Sequence, residues 1–322
     1  MKAVMFVPRA GGGVVEVLEQ PMASPQPGEA LIKVHAAGLN RGELGIRSRH
    51  VSGAPLSTGI EFAGEVVTPA AGSGRFKTGD RVMGHWRGGQ AEYVACDERL
   101  LVPVPPRLSW IEAGAWLNVF VTAHDAIVTN AALKPGESVL INAASSSIGI
   151  ASLQIARMLG AKPVIGSSRS SAKLDALYQH GMQVGVVAGG DFKTDIARAT
   201  AGKGVDVVID NVGANVLAEN LACMANCGRL VSVGRLGAAS GPIDLDLVAL
   251  KRLRIIGVTF RTRTADERIA CVERCVSDLW EALADGRLQP VVYRSFRMAD
   301  VAVAHALMES NEHIGKLVIE IG

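Results

Sequence analysis

The stretch from Gly136 to Ala161, GESVLINAASSSIGIASLQIARMLGA, constrains this chain more than any other. Ser138 to Asn142 reads as a buried strand, a tight turn of small residues follows, and Ile148 to Leu159 carries the apolar period of a helix. A strand running through such a turn into a helix aims backbone N–H groups and the positive helix end at one point, which suits a diphosphate. The turn spells Ala144-x-Ser146-x-x-Gly149, a Gly-x-Gly-x-x-Gly fingerprint in which only the last glycine survives. Gly149 is expected to let the helix pack closely on the strand, Ala144 to make the turn at negative φ, and Ser146 to offer its hydroxyl to a phosphate oxygen. Ser145, Ser146, Ser147, Ile148 and Gly149 are therefore the candidate diphosphate-binding residues.

The setting of this unit strengthens the reading. Helical periodicity runs from Ile111 to Ala131, and beyond the fingerprint strands at Pro163 to Gly166, Val184 to Val187, Val205 to Ile209, Arg229 to Val233 and Arg254 to Phe260 are expected. The intervening helices are Ser171 to Gln179, Phe192 to Thr200 and Val216 to Met224. Such alternation implies a doubly wound parallel sheet covered on both faces. The first hundred residues differ, with short β-type runs at Ala3 to Val7, Ala30 to Ala36, Ile60 to Val67, Arg81 to Met83, Ala91 to Ala95 and Leu100 to Val102 between Gly and Pro. They read as an all-β, barrel-like unit. The tail adds a helix from Ala265 to Ala284, a strand near Val291 to Phe296, a helix near Val301 to Glu309 and a strand from Lys316 to Ile321. At 322 residues and 48% apolar composition, the chain can bury two cores.

Several function classes fall away. Thirty-three Lys and Arg against 31 Asp and Glu give a formal charge of +2, which leaves no excess for holding a polyanion, so no nucleic-acid partner is expected. The apolar run Ala3 to Val7 is closed by Pro8 and is too short for a signal-peptide core. No stretch approaches the roughly 18 apolar residues of a spanning helix, so a cytoplasmic protein with no membrane partner is expected. The five cysteines include two Cys-x-x-x-Cys pairs, Cys223 with Cys227 and Cys271 with Cys275. Their spacing would place each pair on one helix face, and they read as small buried helix residues rather than as metal ligands.

The coenzyme follows from the end of the second strand. A dinucleotide ribose 2′-hydroxyl wants an acidic acceptor there, whereas a 2′-phosphate wants cations and hydroxyls. Gly166 to Lys173 reads GSSRSSAK and holds no acid, which favours NADP(H) over NAD(H). Ser168, Arg169 and Lys173 are the candidate contacts, the two cations four apart at the expected start of a helix.

With these motifs stand GLNRGEL (Gly38 to Leu44), GIEFAGEV (Gly59 to Val66), FKTGDRVMG (Phe76 to Gly84), AEYV (Ala91 to Val94), DNVG (Asp210 to Gly213), GRLVSVG (Gly228 to Gly234) and HIGKLVIEI (His313 to Ile321). Together and in order, over essentially the whole length, they resemble the medium-chain dehydrogenase/reductase superfamily, and within it the zinc-independent quinone oxidoreductase and enoyl reductase branch. The resemblance implies an α/β protein with a GroES-like β-barrel catalytic domain from residues 1–122 and 266–322, a Rossmann NADP-binding domain from 123–265, and a substrate cleft at their junction. Zinc-bearing relatives carry Cys near the place of Asn40 and His just before Glu61, where this chain has Ile60. Neither Asn nor Ile supplies a preferred zinc ligand, so no metal is expected.

The resemblance further implies site residues. Thr122 would hold the nicotinamide carboxamide, Asn211, Gly234 and Arg235 would stand at strand ends facing the coenzyme, Phe260 and Arg261 would flank the nicotinamide, and Asn311 and Lys316 would close on it. Asn40 would line the hydride-transfer site, and Glu61 would buttress it by hydrogen bonding. Tyrosines common in quinone reductases of the branch are missing near Gly45 and Val51, which leaves His50 as the titratable candidate for a carbonyl contact or proton delivery. His85 and Trp86 would shape substrate entry. The expected reaction is NADPH-dependent hydride transfer to a small-molecule quinone, enone or enoyl thioester. The alternatives are a trans-acting enoyl reductase, for which Arg261, Arg263 and Arg268 would form a basic docking patch, and a non-catalytic NADPH-binding protein. The strand Arg254 to Phe260 would pair with its copy in a homodimer.

Overall fold

The computed structural model describes residues 1–322, and the chain divides into two compact units: Met1–Asn118 with Val272–Gly322, and Val119–Cys271. These divisions lie a few residues from the expected ones, inside helix α3 (Leu117–His124) and helix α9 (Ala265–Ala284).

The second unit is built on six parallel strands: β9 (Val139–Ile141), β10 (Val164–Ser168), β11 (Val184–Val187), β12 (Val205–Asp210), β13 (Met224–Ser232) and β14 (Arg254–Gly257). Their order is β11-β10-β9-β12-β13-β14. The chain thus winds outward from β9 through β10 to β11, then crosses to β12 and winds the other way. That reversal opens a crevice at the carboxyl ends of β9 and β12, where open α/β sheets take their ligands. Helices α4 (Ser147–Met158), α5 (Ser171–Asp175), α6 (Phe192–Ala199), α7 (Ala214–Cys223) and α8 (Leu245–Leu250) connect the strands. Leu140, Ile165, Val208, Leu221 and Leu230 are buried together in its core, each stabilising the fold by about 1.5–3 kcal/mol.

The structure corrects several expected elements here. The helical run over 111–131 is three pieces: α2 (Trp110–Ala113), α3, and a π-helical turn over Asp125–Asn130 closed by Ala131 N–H donating to the Ala126 carbonyl at 2.8 Å. The last strand stops at Gly257 because its neighbour β13 stops at Ser232, the residue paired with Gly257. β13 begins at Met224, so Cys227 lies exposed on a strand with φ 62° and shares no helix face with Cys223. Cys271 and Cys275 are both buried on α9.

The first unit carries β1 (Lys2–Val7), β2 (Val14–Glu19), β3 (Glu29–Gly38), β4 (Leu56–Ser57), β5 (Phe62–Thr68), β6 (Arg81–Gly84), β7 (Tyr93–Asp97), β8 (Leu101–Pro103), β15 (Val292–Arg297) and β16 (Lys316–Glu320). Its larger sheet runs β15-β16-β3-β5-β6-β8, with β7 also on β3, and β2-β1-β4 form a smaller one. The ten-residue β3 turns Ala30, Ile32, Val34 and Ala36 inward at period two, as a half-covered strand does. Its far end meets β16, with Gly38 opposite Val318, and brings the carboxyl end of β3 beside Lys316. Helix α1 (Gly42–Arg49) follows β3, and α10 (Val301–Ser310) precedes β16. α1 has no apolar stripe, and Glu43 is its buried residue, so periodicity does not reveal it.

Candidate functional site

In the second unit the β9–α4 turn is shaped as a small-residue cradle. Ala144 N–H donates to the Ser167 carbonyl at 2.9 Å, tying the turn to β10. The left-handed position falls on Ala143, with φ 52°, one residue before the fingerprint's first place. A Cβ on Gly149 would meet the Ala143 oxygen at 2.5 Å and Ala144 Cα at 2.7 Å, so helix and strand touch only because the residue is glycine. Ser146 is the N-cap: its Oγ accepts from Gly149 N–H at 3.1 Å and donates to the Ala143 carbonyl at 2.8 Å. The hydroxyl is thereby engaged within the turn. The first-turn amides of Ser147 and Ile148 have no intrahelical acceptor, which is the arrangement an anion at a helix start requires. Ser145, Ser147 and Ile148 are all half-buried around that point.

At the end of β10, Ser168 is buried and accepts from Ser170 N–H at 3.3 Å. Arg169 is exposed and precedes α5, for which Ser170 is the N-cap, so the two cations do not share a helix turn as their spacing suggested. Lys173 lies in α5, half-buried. Both cations flank a strand end that offers hydroxyls and no carboxylate.

On the other side of the crevice, Asp210 ends β12 buried, and its carboxylate accepts from Val212 N–H at 2.8 Å and from Gly213 N–H. Burial raises its pKa above the usual carboxylate range against the pull of those amides. Asn211 Nδ2 donates to the Asn142 carbonyl at 3.1 Å, and Asn142 in turn accepts from Ser167 Oγ at 2.7 Å. Asn142 is thus a hub the motif search passed over, although it is the polar residue ending an otherwise apolar strand. Gly234 lies so near that a Cβ there would meet the Asn211 oxygen at 2.6 Å, and Arg235 beyond it is exposed. Thr122 is half-buried in the last turn of α3. Phe260 is half-buried and Arg261 exposed past β14. Arg263 and Arg268 point inward rather than forming a basic docking patch: Arg263 Nη2 donates to Asp125 Oδ2 at 2.7 Å, and Arg268 Nη2 to the Phe260 carbonyl at 2.7 Å.

The first unit holds a separate buried network. Lys316, 2% exposed, pairs its ammonium with Glu61 Oε1 and donates to Asn40 Oδ1 at 2.7 Å. Asn40 Nδ2 donates to Glu61 Oε1 at 3.1 Å and to the Gly38 carbonyl at 3.3 Å, while its Oδ1 also accepts from Asn118 Nδ2 at 2.8 Å. All four hydrogen-bonding capacities of the Asn40 amide are therefore engaged, which makes it a keystone of the network. Glu61 Oε2 accepts from Asn118 N–H at 3.1 Å, so this carboxylate does act as a buttress. A Cβ on Gly38 would meet Glu61 Oε1 at 2.5 Å and Lys316 Cε at 2.7 Å, so the glycine makes room for the ion pair.

Two further members were not foreseen. Gln90 donates from Nε2 to Glu43 Oε2 at 3.1 Å, and Glu43, fully buried, keeps Oε1 without a hydrogen-bond partner. Burial pushes its pKa up to about 7, against the Gln90 hydrogen bond and the Lys316 charge. His85, in the loop directly after β6, is buried, with Nε2 donating to Asn118 Oδ1 at 3.1 Å. His50 donates from Nε2 to the Ala54 carbonyl at 3.0 Å. Asn311 closes α10 in the left-handed region at φ 59°, its Nδ2 donating to the Glu309 carbonyl.

Comparison with known proteins matches residues 26–106 to the alcohol dehydrogenase GroES-like domain and residues 147–277 to the zinc-binding dehydrogenase family. The chain is 30% identical to a quinone oxidoreductase of Homo sapiens over 96% of its own length and 94% of the relative's. A solved structure described as an NAD-dependent alcohol dehydrogenase superposes with TM-score 0.90 at 29% identity, covering 100% of both chains. A mycobacterial protein complexed with NADPH superposes equally well, TM-score 0.90 at 25% identity, over 99% of this chain and 100% of that one. The zinc of the second family's description finds no suitable donor set here. No three His, Cys, Asp or Glu side chains converge as metal ligands, and the cation beside Glu61 is the Lys316 ammonium, with the Asn40 amide completing its shell. A nicotinamide dinucleotide, by contrast, fits the glycine-tight turn and its first-turn amides. With a GroES-like unit, a Rossmann-like parallel sheet and a relative matched along nearly its whole length, the chain belongs to the medium-chain dehydrogenase/reductase superfamily and is an oxidoreductase of that family.

Proposed function

We propose that the chain transfers hydride from NADPH to a small-molecule quinone or electron-poor C=C, without zinc. The observation that carries this reading is the start of α4, whose amides face the crevice beside a β10 end bearing Ser168, Arg169 and Lys173 and no acid. When bound, the coenzyme supplies hydride from its nicotinamide ring. The amides of Ser147 and Ile148, framed by Ser145 and Gly149, hold the diphosphate. Ser168, Arg169 and Lys173 meet the 2′-phosphate. Thr122, Asn211, Gly234, Arg235, Phe260 and Arg261 orient the nicotinamide half, while Asn311 and Lys316 have their roles within the first unit. Lys316 fixes Asn40 within the buried network. With the substrate carbonyl polarised by hydrogen bonds rather than a metal, an acceptor that is already activated is the chemistry this site suits. The same reading includes two-fold assembly through the exposed edge strand β14.

Fluorescence titration with NADPH and NADH, followed by NADPH oxidation with quinones, enones and enoyl-CoA thioesters, tests the proposal. NADPH should bind more tightly, Arg169→Ala should erode that preference by about tenfold or less for the loss of one exposed phosphate contact, and at least one acceptor class should be reduced. Equal or tighter NADH binding overturns the coenzyme choice. Retained NADPH binding with no acceptor reduced overturns the activity.

A further inference from the structure

The geometry points to Arg263 as a positioning residue that sets the nicotinamide end of the coenzyme crevice by clamping Phe260 to the π-helical turn behind Thr122; this rests on the coenzyme reading above. The topology gives the direction. With a diphosphate at the start of α4 and its adenosine half toward β10, the other half must extend over the carboxyl ends of β12, β13 and β14. Phe260 lies past the end of β14, in the connection to α9.

That connection is held by two arginines. The Arg263 guanidinium lies over the Phe260 ring, 4.7 Å from its centroid. Its Nη2 donates to Asp125 Oδ2 at 2.7 Å and its Nη1 donates to Cys271 Sγ. Arg268 holds the same segment through its backbone, donating from Nη2 to the Phe260 carbonyl at 2.7 Å and from Nε to the Arg263 carbonyl at 3.4 Å. Asp125 and Cys271 are both buried, so the fork of Arg263 is anchored in the interior of the unit while its face carries the ring. Asp125 opens the π-helical turn three residues after Thr122, and such turns recur where a helix must present a side chain at a functional point. One planar group therefore links the two segments expected to flank the nicotinamide. A lysine could supply the charge but neither the fork nor the flat face. Fixing a half-buried ring and a loop before the ligand arrives spares the entropy of ordering them on binding.

A purely structural staple would have a different signature, and two ligands separate the cases. NADPH carries both halves of the coenzyme, whereas 2′,5′-ADP carries the adenosine half alone. Dissociation constants for both should be measured on the full chain and on Arg263→Gln, Arg263→Lys and Phe260→Ala, with circular dichroism as the check on folding. Arg263→Gln is expected to weaken NADPH by about tenfold, the scale of one or two side chains ordered on binding. It should leave 2′,5′-ADP within about twofold. Arg263→Lys should recover only part of the loss, and Phe260→Ala should reproduce the split. A folded Arg263→Gln protein whose affinity is unchanged for both ligands, or falls equally for both, overturns the inference. If that variant does not fold, an unchanged NADPH affinity in Phe260→Ala overturns it. Wild-type protein that binds neither ligand overturns the coenzyme reading itself.

Discussion

Glu43 is a carboxyl on a helix that buries no other side chain. It shares its surroundings with Glu61 and with one ammonium, Lys316, so two acids face a single cation. Burial is the main reason its pKa rises from 4.5 to about 7; the Glu61 charge adds to this, while Gln90, Lys316 and Asn40 pull it down. Between those two values the folded chain keeps a proton that the unfolded chain has released. The contribution is therefore fully present below pH 4.5 and lost as pH rises through about 7, by an amount on the order of 3 kcal/mol. His305 acts in the opposite sense: burial and then the Arg47 charge lower its pKa from 6.5 to about 4, so its contribution is lost as pH falls through that window. The two slopes have opposite signs where their windows overlap. Glu43→Gln, which keeps the shape and removes the titration, is expected to expose the His305 slope, with stability rising more steeply from pH 4 to 7 in urea unfolding. Identical pH profiles for the two proteins would refute the assignment. None of this is legible in GLNRGEL, because the acidic residue of a polar helix looks like a solvated one until Gln90 and Lys316 arrive beside it from distant parts of the chain.

At the scale of elements, the start of α4 divides labour in a way the fingerprint only half discloses. The strand, the turn and the helix are written in local sequence, as are most of the alternating strands and helices, because each follows from period and turn chemistry. The use of the Ser146 hydroxyl is not, since it depends on where the Ala143 carbonyl points after a left-handed turn. Ser146→Ala should cost about 1 kcal/mol of stability as an N-cap loss, and Ser146→Gly only a few tenths. NADPH affinity should change little in either, because the amides of Ser147 and Ile148 remain. A large affinity loss at unchanged melting temperature would return the hydroxyl to the phosphate. The helices missed from sequence, α1 and α8, are short: α1 is polar, with Glu43 its one buried residue, and the six-residue α8 is too brief to show a helical period.

For the whole molecule, β14 is one of the two edges of the parallel sheet, and it carries Ile255 at 43% exposure. A bare apolar edge invites pairing with a copy of itself. Ile255→Glu is expected to convert a two-fold assembly into a single chain by sedimentation velocity, with the circular dichroism spectrum retained. A mass that is the same before and after the substitution, at either one or two chains, would remove β14 from any interface.

The sequence by itself determined the two kinds of architecture and the anion-binding turn, since strand and helix periods, glycine positions and the lack of an acid after β10 are properties of short segments. Only the tertiary structure decided which polar groups meet. Asn40, Glu61 and Lys316 are joined across 276 residues of chain, and Asp125 reaches Arg263 across 138. A buried charge is tolerable only where a partner from elsewhere in the fold arrives to satisfy it, and nothing in a local stretch of residues specifies that arrival.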